Sequence, residues 1–436
     1  MKRATPISPG QTSRQIQSRR TPTITAVGVR RDWLIVAAAM FGVGWGANQF
    51  ASMLVAYHQY LGFTIRTNEV LLVIYALGLV PALLLGGPAS DRWGRSVVIR
   101  PAAIVSLVAT LMLVVGSHSV LMLGAGRFVA GVASGAVLAA GTAWVKELSV
   151  PPYDLAADEQ AGARRAAIAL SAGFGLGPVV ASLLAQWGPA PLVVAYLPHL
   201  AVMALVLPGL WRVPETVRHE KNSGPGLLSR LRVPRAGHPR FVTVVVPLAP
   251  WVFAASNVSI AVLPSVVSGR THGLGIAFAG LVAGVTLAAG VLVQPIARRL
   301  DKDDDARGAS VGLAIVVLGM LLAALATHLV SPLLVLVAAT VLGAGYGFCL
   351  VAGLLEVQRL AGPDDLAGLN AVFYVLTYVG FSVPVALAEL DHLVSYPVLL
   401  LCLAGLAAVS LMVVATQSPR FPVAHRQSAP LGSRPR

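Results

Sequence analysis

The residues with the most chemical content lie in one short stretch, Gly87-Pro88-Ala89-Ser90-Asp91-Arg92-Trp93-Gly94-Arg95. Gly94 permits a tight reversal, and Arg92 and Arg95 can hydrogen-bond lipid phosphate or the free carbonyls of a helix end. Asp91 falls near the C-terminus of the apolar run before it, where an anion is disfavoured by roughly 0.3–1 kcal/mol. It therefore needs a basic side chain or another helix's N-terminus. A partner from a distant part of the chain would make a latch present in one conformation only. The plainer explanation is a positive loop at a membrane surface.

Arg127 lies inside an apolar run, where a charge costs on the order of 2.5–3.5 kcal/mol at a helix centre. It must face a polar cavity, pair, or snorkel to the surface. Gly131 and Gly135 follow at four-residue spacing, a seam for close helix packing. In Gly173-Phe174-Gly175-Leu176-Gly177-Pro178, the proline removes a backbone donor and bends the helix, while Gly173 and Gly177 admit a neighbour. Asn48, Gln49 and Asn257 interrupt other apolar runs, and Asn370, Tyr374 and Tyr378 share one helix face. These six either line a substrate cavity or bind helices together. No catalytic residue is expected: no nucleophile–base pair, metal cluster or zinc spacing stands out, so neither an enzyme nor a metal or other cofactor is predicted. Cys349 and Cys402 both fall in apolar runs and read as small hydrophobes.

The elements that carry these residues are set by composition. Of 436 residues 56% are hydrophobic and 11% charged, against about 25% charged in a soluble domain. The apolar runs approach the roughly 20 residues needed to cross about 30 Å of hydrocarbon as a helix. A membrane β-barrel would show short alternating segments instead. We read twelve spans, at 33–57, 69–89, 98–116, 119–143, 166–186, 191–211, 241–262, 275–297, 309–328, 332–355, 366–388 and 394–415. The 43 Gly and 29 Pro are tolerated in such helices because neighbours re-satisfy the freed backbone groups.

The net charge of +14 follows membrane sidedness and does not point to nucleic acid. Under this topology the 32 Lys and Arg lie in the two tails and the even-to-odd connections, apart from Arg66, Arg270 and Arg127. The positive-inside rule then puts both termini in the cytoplasm. The chain divides into a basic, disordered arm at 1–32, a six-helix half at 33–211, a cytoplasmic central loop at 212–240, a second six-helix half at 241–415 and a cytoplasmic tail at 416–436. The halves resemble each other: Gly131, Gly135 and Gly141 of span four recur as Gly343, Gly347 and Gly353 of span ten. Gly87-Pro88-Ala89-Ser90-Asp91-Arg92 recurs more loosely as Gln294-Pro295-Ile296-Ala297-Arg298-Arg299, about half a chain away. Duplicated six-helix halves are the arrangement of parallel-repeat transporters.

The stretch from Gly87 to Arg95 resembles the signature loop G-x-x-x-D-R-x-G-R of the major facilitator superfamily, with Gly87, Asp91, Arg92, Gly94 and Arg95 in place and Ser96 where a basic residue is usual. Leu123, Arg127 and Gly131 are similar to the family's pattern in span four, and Val213-Pro214-Glu215-Thr216 to its span-six ending. Gly173 to Ser182 resembles the exporter-associated g-x-x-x-G-P-x-x-G-G, with Ala181 and Ser182 replacing the final glycines. The resemblance implies an all-α fold of two pseudo-symmetric six-helix bundles that transports by alternating access, with the Asp91 loop gating the cytoplasmic side.

From it we expect a monomer in a bacterial inner membrane, exporting a small amphipathic organic compound such as a drug or metabolite in exchange for protons. Import of a small organic solute, or a transport-inactive sensor or scaffold, are the alternatives. Proton coupling is implied by the resemblance alone: Glu69 and Glu356 lie at span ends, Glu389 and Asp391 flank a loop, and His199 reads as a packed histidine.

Overall fold

The computed structural model describes residues 31–158, 160–217, 234–301, 306–362 and 366–421. Most of the expected N-terminal arm, central loop and C-terminal tail, and the acidic run at 302–305, lie outside the described residues. Among those described, every element is helical. Twelve helices are long and apolar enough to cross a membrane: Asp32–Leu61, Ile65–Trp93, Arg95–Val115, Val120–Glu147, Ala161–Trp187, Pro191–Leu210, Phe241–Arg270, Gly275–Leu300, Arg307–His328, Pro332–Leu360, Gly368–Leu390 and Tyr396–Arg420. They are spans one to twelve below. An even number of crossings returns the chain to the side on which it began; we term that side proximal and the opposite side distal.

Side-chain caps start several spans at the distal side. Thr64 accepts from the Thr67 N–H, Ser119 from Met122 and Ser331 from Leu334, each satisfying a donor the first turn leaves free. Ser119 and Ser331 hold equivalent places in spans four and ten, so the duplication extends to the caps.

The same glycines that suggested a repeat set the helix crossings. A Cβ on Gly131 or Gly135 would lie 2.1 or 2.3 Å from the Tyr75 or Leu79 carbonyl oxygen of span two; on Gly343 or Gly347 it would lie 2.2 or 2.1 Å from those of Thr286 or Gly290 of span eight. Span four thus crosses span two as span ten crosses span eight, backbone against backbone. Gly173 and Gly177 seat span five on Phe41 and Trp45 of span one, and Gly380 seats span eleven on Pro250 of span seven. Where Ser182 replaces a glycine in span five, the glycine is on the other side: Ser182 packs against Gly280 of span eight, across the two halves.

Proline explains the irregularities. Span seven contains two π-helical stretches, Phe241–Val245 and Val258–Val262. Each lies just before a proline, Pro247 or Pro264, whose missing N–H and ring disturb the carbonyl four residues back. Span eight is interrupted at Val293 before Pro295. Pro178 frees the Phe174 carbonyl, and Asn48 of span one donates its Nδ2 to that oxygen at 3.0 Å.

Candidate functional site

The loop between spans two and three forms a charge cluster at the proximal side. Gly94 has φ 110°, and a Cβ there would lie 2.6 Å from a carboxylate oxygen of Glu215; both conditions favour glycine. Glu215 accepts from the N–H groups of Arg95 and Ser96 at 3.0 and 2.9 Å and from the Ser96 hydroxyl at 2.7 Å. It therefore sits as an anion on the first turn of span three. Burial pushes the Glu215 carboxyl up, but the hydrogen bonds from Ser96, Val217 and Arg95 outweigh it and hold the group below its ordinary value.

Arg95 is the hub of this cluster. Its guanidinium donates to Glu147 of span four at 2.8 Å, to the Ser90 hydroxyl at 2.7 Å and to Asp91, with which it forms an ion pair. Asp91, 48% exposed, is thus partnered from its own loop, not from the opposite half. Arg92 is exposed, and a Cβ on Gly87 would meet nothing within 4 Å. Arg100 of span three donates to the carbonyls of Leu210 and Val213, closing the end of span six.

Arg127 does not snorkel. It is 1% exposed, its guanidinium carbon lying 4.5 and 4.4 Å from the ring centres of Phe50 and Tyr75. It donates to the Ala47 and Leu71 carbonyls at 3.1 and 3.4 Å, and no described carboxylate pairs with it. Two aromatic faces and two carbonyls stabilise the buried cation. Close by, the hydroxyls of Tyr57 and Tyr196 are 2.7 Å apart.

The cavity candidates divide. Asn48 is committed to the Phe174 carbonyl by its amide nitrogen. Gln49 is turned into the N-terminal half, fully buried, with its Nε2 3.4 Å from Thr110 of span three. The other four lie in the C-terminal half. Asn257 immediately precedes a π stretch and keeps a buried Nδ2 without partner; Asn370 keeps a buried Oδ1 without partner. Tyr374 and Tyr378 join Tyr75, Leu79, Phe174, Phe253 and Phe381 in one apolar cluster drawn from spans two, five, seven and eleven. Within it Phe253 lies 4.7 Å from Tyr378 and 5.2 Å from Phe381, and Tyr75 reaches across the halves to Phe381 at 6.2 Å. Tyr346 of span ten adds a ring 6.3 Å from Phe253. Phe253, Tyr346, Phe381 and Tyr75 carried no signal in the sequence, because they come from four different spans and meet only in the folded bundle. His199 is buried against Gly46 and 3.4 Å from Ser106, inside the N-terminal half.

The two sides of the molecule differ in what joins the halves. Distally, Arg66 of span two pairs with Glu389 of span eleven, and Gln186 of span five bonds the Gly273 carbonyl and the Ala277 N–H beside span eight at 3.0 and 3.1 Å. Proximally, the ion pairs among the described residues join Asp91, Arg95 and Glu147 within one half and Arg240, Glu356 and Arg359 within the other.

Comparison with known proteins places this architecture. Among solved structures, similarity extends to a POT family transporter in complex with 5-aminolevulinic acid, at TM-score 0.73 and 14% identity over 89% of this chain and 96% of that one. The nucleoside transporter NupG is similar at TM-score 0.69 and 13% identity over 90% and 100%, and the POT family transporter PepTSo at 0.67 and 14% over 89% and 98%. No curated protein sequence matches. The sequence profile of the Major Facilitator Superfamily matches residues 33–385. The chain therefore belongs to the Major Facilitator Superfamily, and is a multi-pass membrane transporter rather than an enzyme.

Proposed function

We propose that this chain is a proton-coupled exporter of a small amphipathic organic compound, working as a monomer in a bacterial inner membrane with both termini in the cytoplasm. The carrying observation is the one-sided closure: among the described residues, the polar side-chain links between the halves lie at the distal side. That is one state of an alternating-access cycle, open toward the proximal side. The placement of basic residues supports reading proximal as cytoplasmic.

The aromatic cluster at the junction of spans two, seven, ten and eleven suits a substrate with a flat apolar body. Asn257 and Asn370, each with an unpartnered polar atom, suit one or two hydrogen-bonding groups on that body. In this reading Asp91 and Arg95 form the inner clasp, exchanging their mutual bond for contacts with the opposite half as the proximal side closes. Arg127, behind the Tyr75 ring, fixes the wall of the pathway. Gly131, Gly135, Gly173, Gly177 and Pro178 set the crossings about which the bundle moves. No bound cofactor enters; the driving force is the proton gradient.

Export rests on the Gly177-Pro178 element of span five. Import is the second reading, favoured by Ala181 and Ser182 in place of the exporter pattern's glycine pair. Uptake by inverted vesicles, with and without an imposed proton gradient, tests both. Accumulation of amphipathic compounds driven by an acidic lumen is the expected result. Accumulation in right-side-out vesicles alone would favour import.

A further inference from the structure

Four described carboxylates are almost wholly buried, and three have cations. Asp154 pairs with Arg165, Asp301 with Arg359, and Glu356 with Arg240 and Arg359. Glu69 is the fourth. It is 1% exposed, has no ion pair, and its Oε2 is buried without a hydrogen-bond partner. It stands one turn after Arg66 at the distal start of span two, where that span meets span eleven across the halves.

The groups around it do not supply a counter-charge. On its own helix Arg66 is exposed and paired with Glu389, and Asn68 donates its amide to the Leu54 carbonyl at 2.8 Å. From span one, His58 is bonded to the Phe63 carbonyl and Tyr57 to Tyr196. From span four, Arg127 is directed to the Leu71 and Ala47 carbonyls and held by the Phe50 and Tyr75 rings. From span eleven comes Glu389; from the connection that follows and from span twelve come Asp391 and Tyr396, the last within electrostatic range of Glu69.

We infer that Glu69 is a proton-binding switch of the distal gate: the seam between spans two and eleven closes with Glu69 as the neutral acid and opens as its carboxylate. An ionised carboxylate sealed into this site would lose its water with no cation or donor in exchange. When the halves separate distally, water reaches the first turn of span two and the acid releases its proton to the distal solution. Closing takes one proton back from the same solution onto a Glu69 oxygen. Charge and atoms balance in each direction, and no other reactant is needed. The inference deepens the proposed function by making the distal gate answer to the pH of the distal solution, and it rests on the reading of the distal side as a gate.

The test measures the gate apart from transport. Spin labels on His118→Cys and Leu393→Cys, both exposed distal positions, are placed in a Cys402→Ser background of the purified full chain without substrate; Cys349 is buried. The short-distance population should fall as pH is raised, with the closed-to-open ratio changing by up to about tenfold per pH unit. Glu69→Gln, which keeps the shape and cannot ionise, should stay in the short-distance population at every pH. A Glu69→Gln titration identical to the parent's, or a parent seam that does not respond to pH, would overturn the inference. Circular dichroism and a monodisperse elution profile of the variant separate these results from misfolding. If the seam ignores pH while vesicle transport still follows the proton gradient, the switch fails and the transporter reading survives.

Discussion

The proximal side carries a charge cluster in each half, and the two are built differently. In the N-terminal half, Asp91 is 48% exposed, and Arg95 divides its donors among Asp91, Ser90 and Glu147. In the C-terminal half, Arg240 and Glu356 are 1% and 0% exposed and joined by two hydrogen bonds of 2.7 and 2.9 Å. Arg240 also donates to the carbonyls of Ser418 and Phe421, fastening the end of span twelve. The carboxylates follow suit: hydrogen bonds hold Glu215 below its ordinary value, while burial pushes Asp301 up against the opposing pull of Arg359. Even the turns differ, with Gly94 at φ 110° before span three and Ala306 at φ 54° before span nine. A duplicated frame has thus been given one hydrated, exchangeable cluster and one sealed cluster. The first suits a part that changes partners, the second a part that stays fixed.

The largest effect should come from the sealed side. Glu356→Ala removes the buried carboxylate that Arg240 and Arg359 share, so a loss of about 3–5 kcal/mol is expected. Thermal unfolding in detergent should show it as a sharply lowered midpoint or loss of folded protein. A midpoint within a degree of the parent would remove the distinction between the clusters.

The shared crossings should respond equally. Gly135→Val and Gly347→Val each force a side chain against a carbonyl of the facing helix, costing about 1–3 kcal/mol. Similar losses of stability in both variants would support equivalent crossings; a silent Gly347→Val would mean the C-terminal half packs by other means.

Asp91→Asn removes one half-exposed charge and should change stability by less than about 1 kcal/mol. Transport in vesicles should nonetheless fall several-fold, because the clasp loses its charge. Normal transport by this variant would remove the N-terminal cluster from the gating cycle.

The smallest effect belongs to Glu215. Its carboxyl is held below the ordinary value, so its stabilising contribution is present above that value and lost as pH falls through the depressed one. The advantage of the parent over Glu215→Gln should be roughly 0.3–1 kcal/mol near neutrality, the size of a charge at a helix N-terminus. It should vanish in acid below the ordinary carboxylate range, as read from melting curves across pH. An advantage that grew toward acid would contradict the assigned hydrogen bonds.

Much of this was legible in the sequence because membrane helices announce themselves by length and hydropathy. Gly131 with Gly135, and Gly343 with Gly347, gave the crossings because only small residues permit backbone contact. Other features were hidden for physical reasons. Glu69 read as a residue at a span end because the apolar run begins there, whereas Thr64 caps the helix a turn earlier and brings Glu69 inside the fold. Glu215 belongs in sequence to the end of span six, yet in space it caps span three. Asn48 read as a cavity residue, but Pro178 on another helix frees the carbonyl to which it bonds. Spacing put Tyr374 and Tyr378 on one face, but Tyr75, Phe253 and Tyr346 join them from other spans, a meeting that no spacing along the chain records. The polar sites are set by tertiary contacts, the spans by local composition.

The central claim is that the halves move as bodies and that the distal side must open for transport. It is tested most directly by tethering that side: Arg66→Cys and Glu389→Cys, joined across the seam by a short bifunctional maleimide in the Cys402→Ser background. The uncrosslinked double variant should transport, and the crosslinked protein should bind substrate from the proximal side yet carry none across. Undiminished transport by fully crosslinked protein would contradict the account.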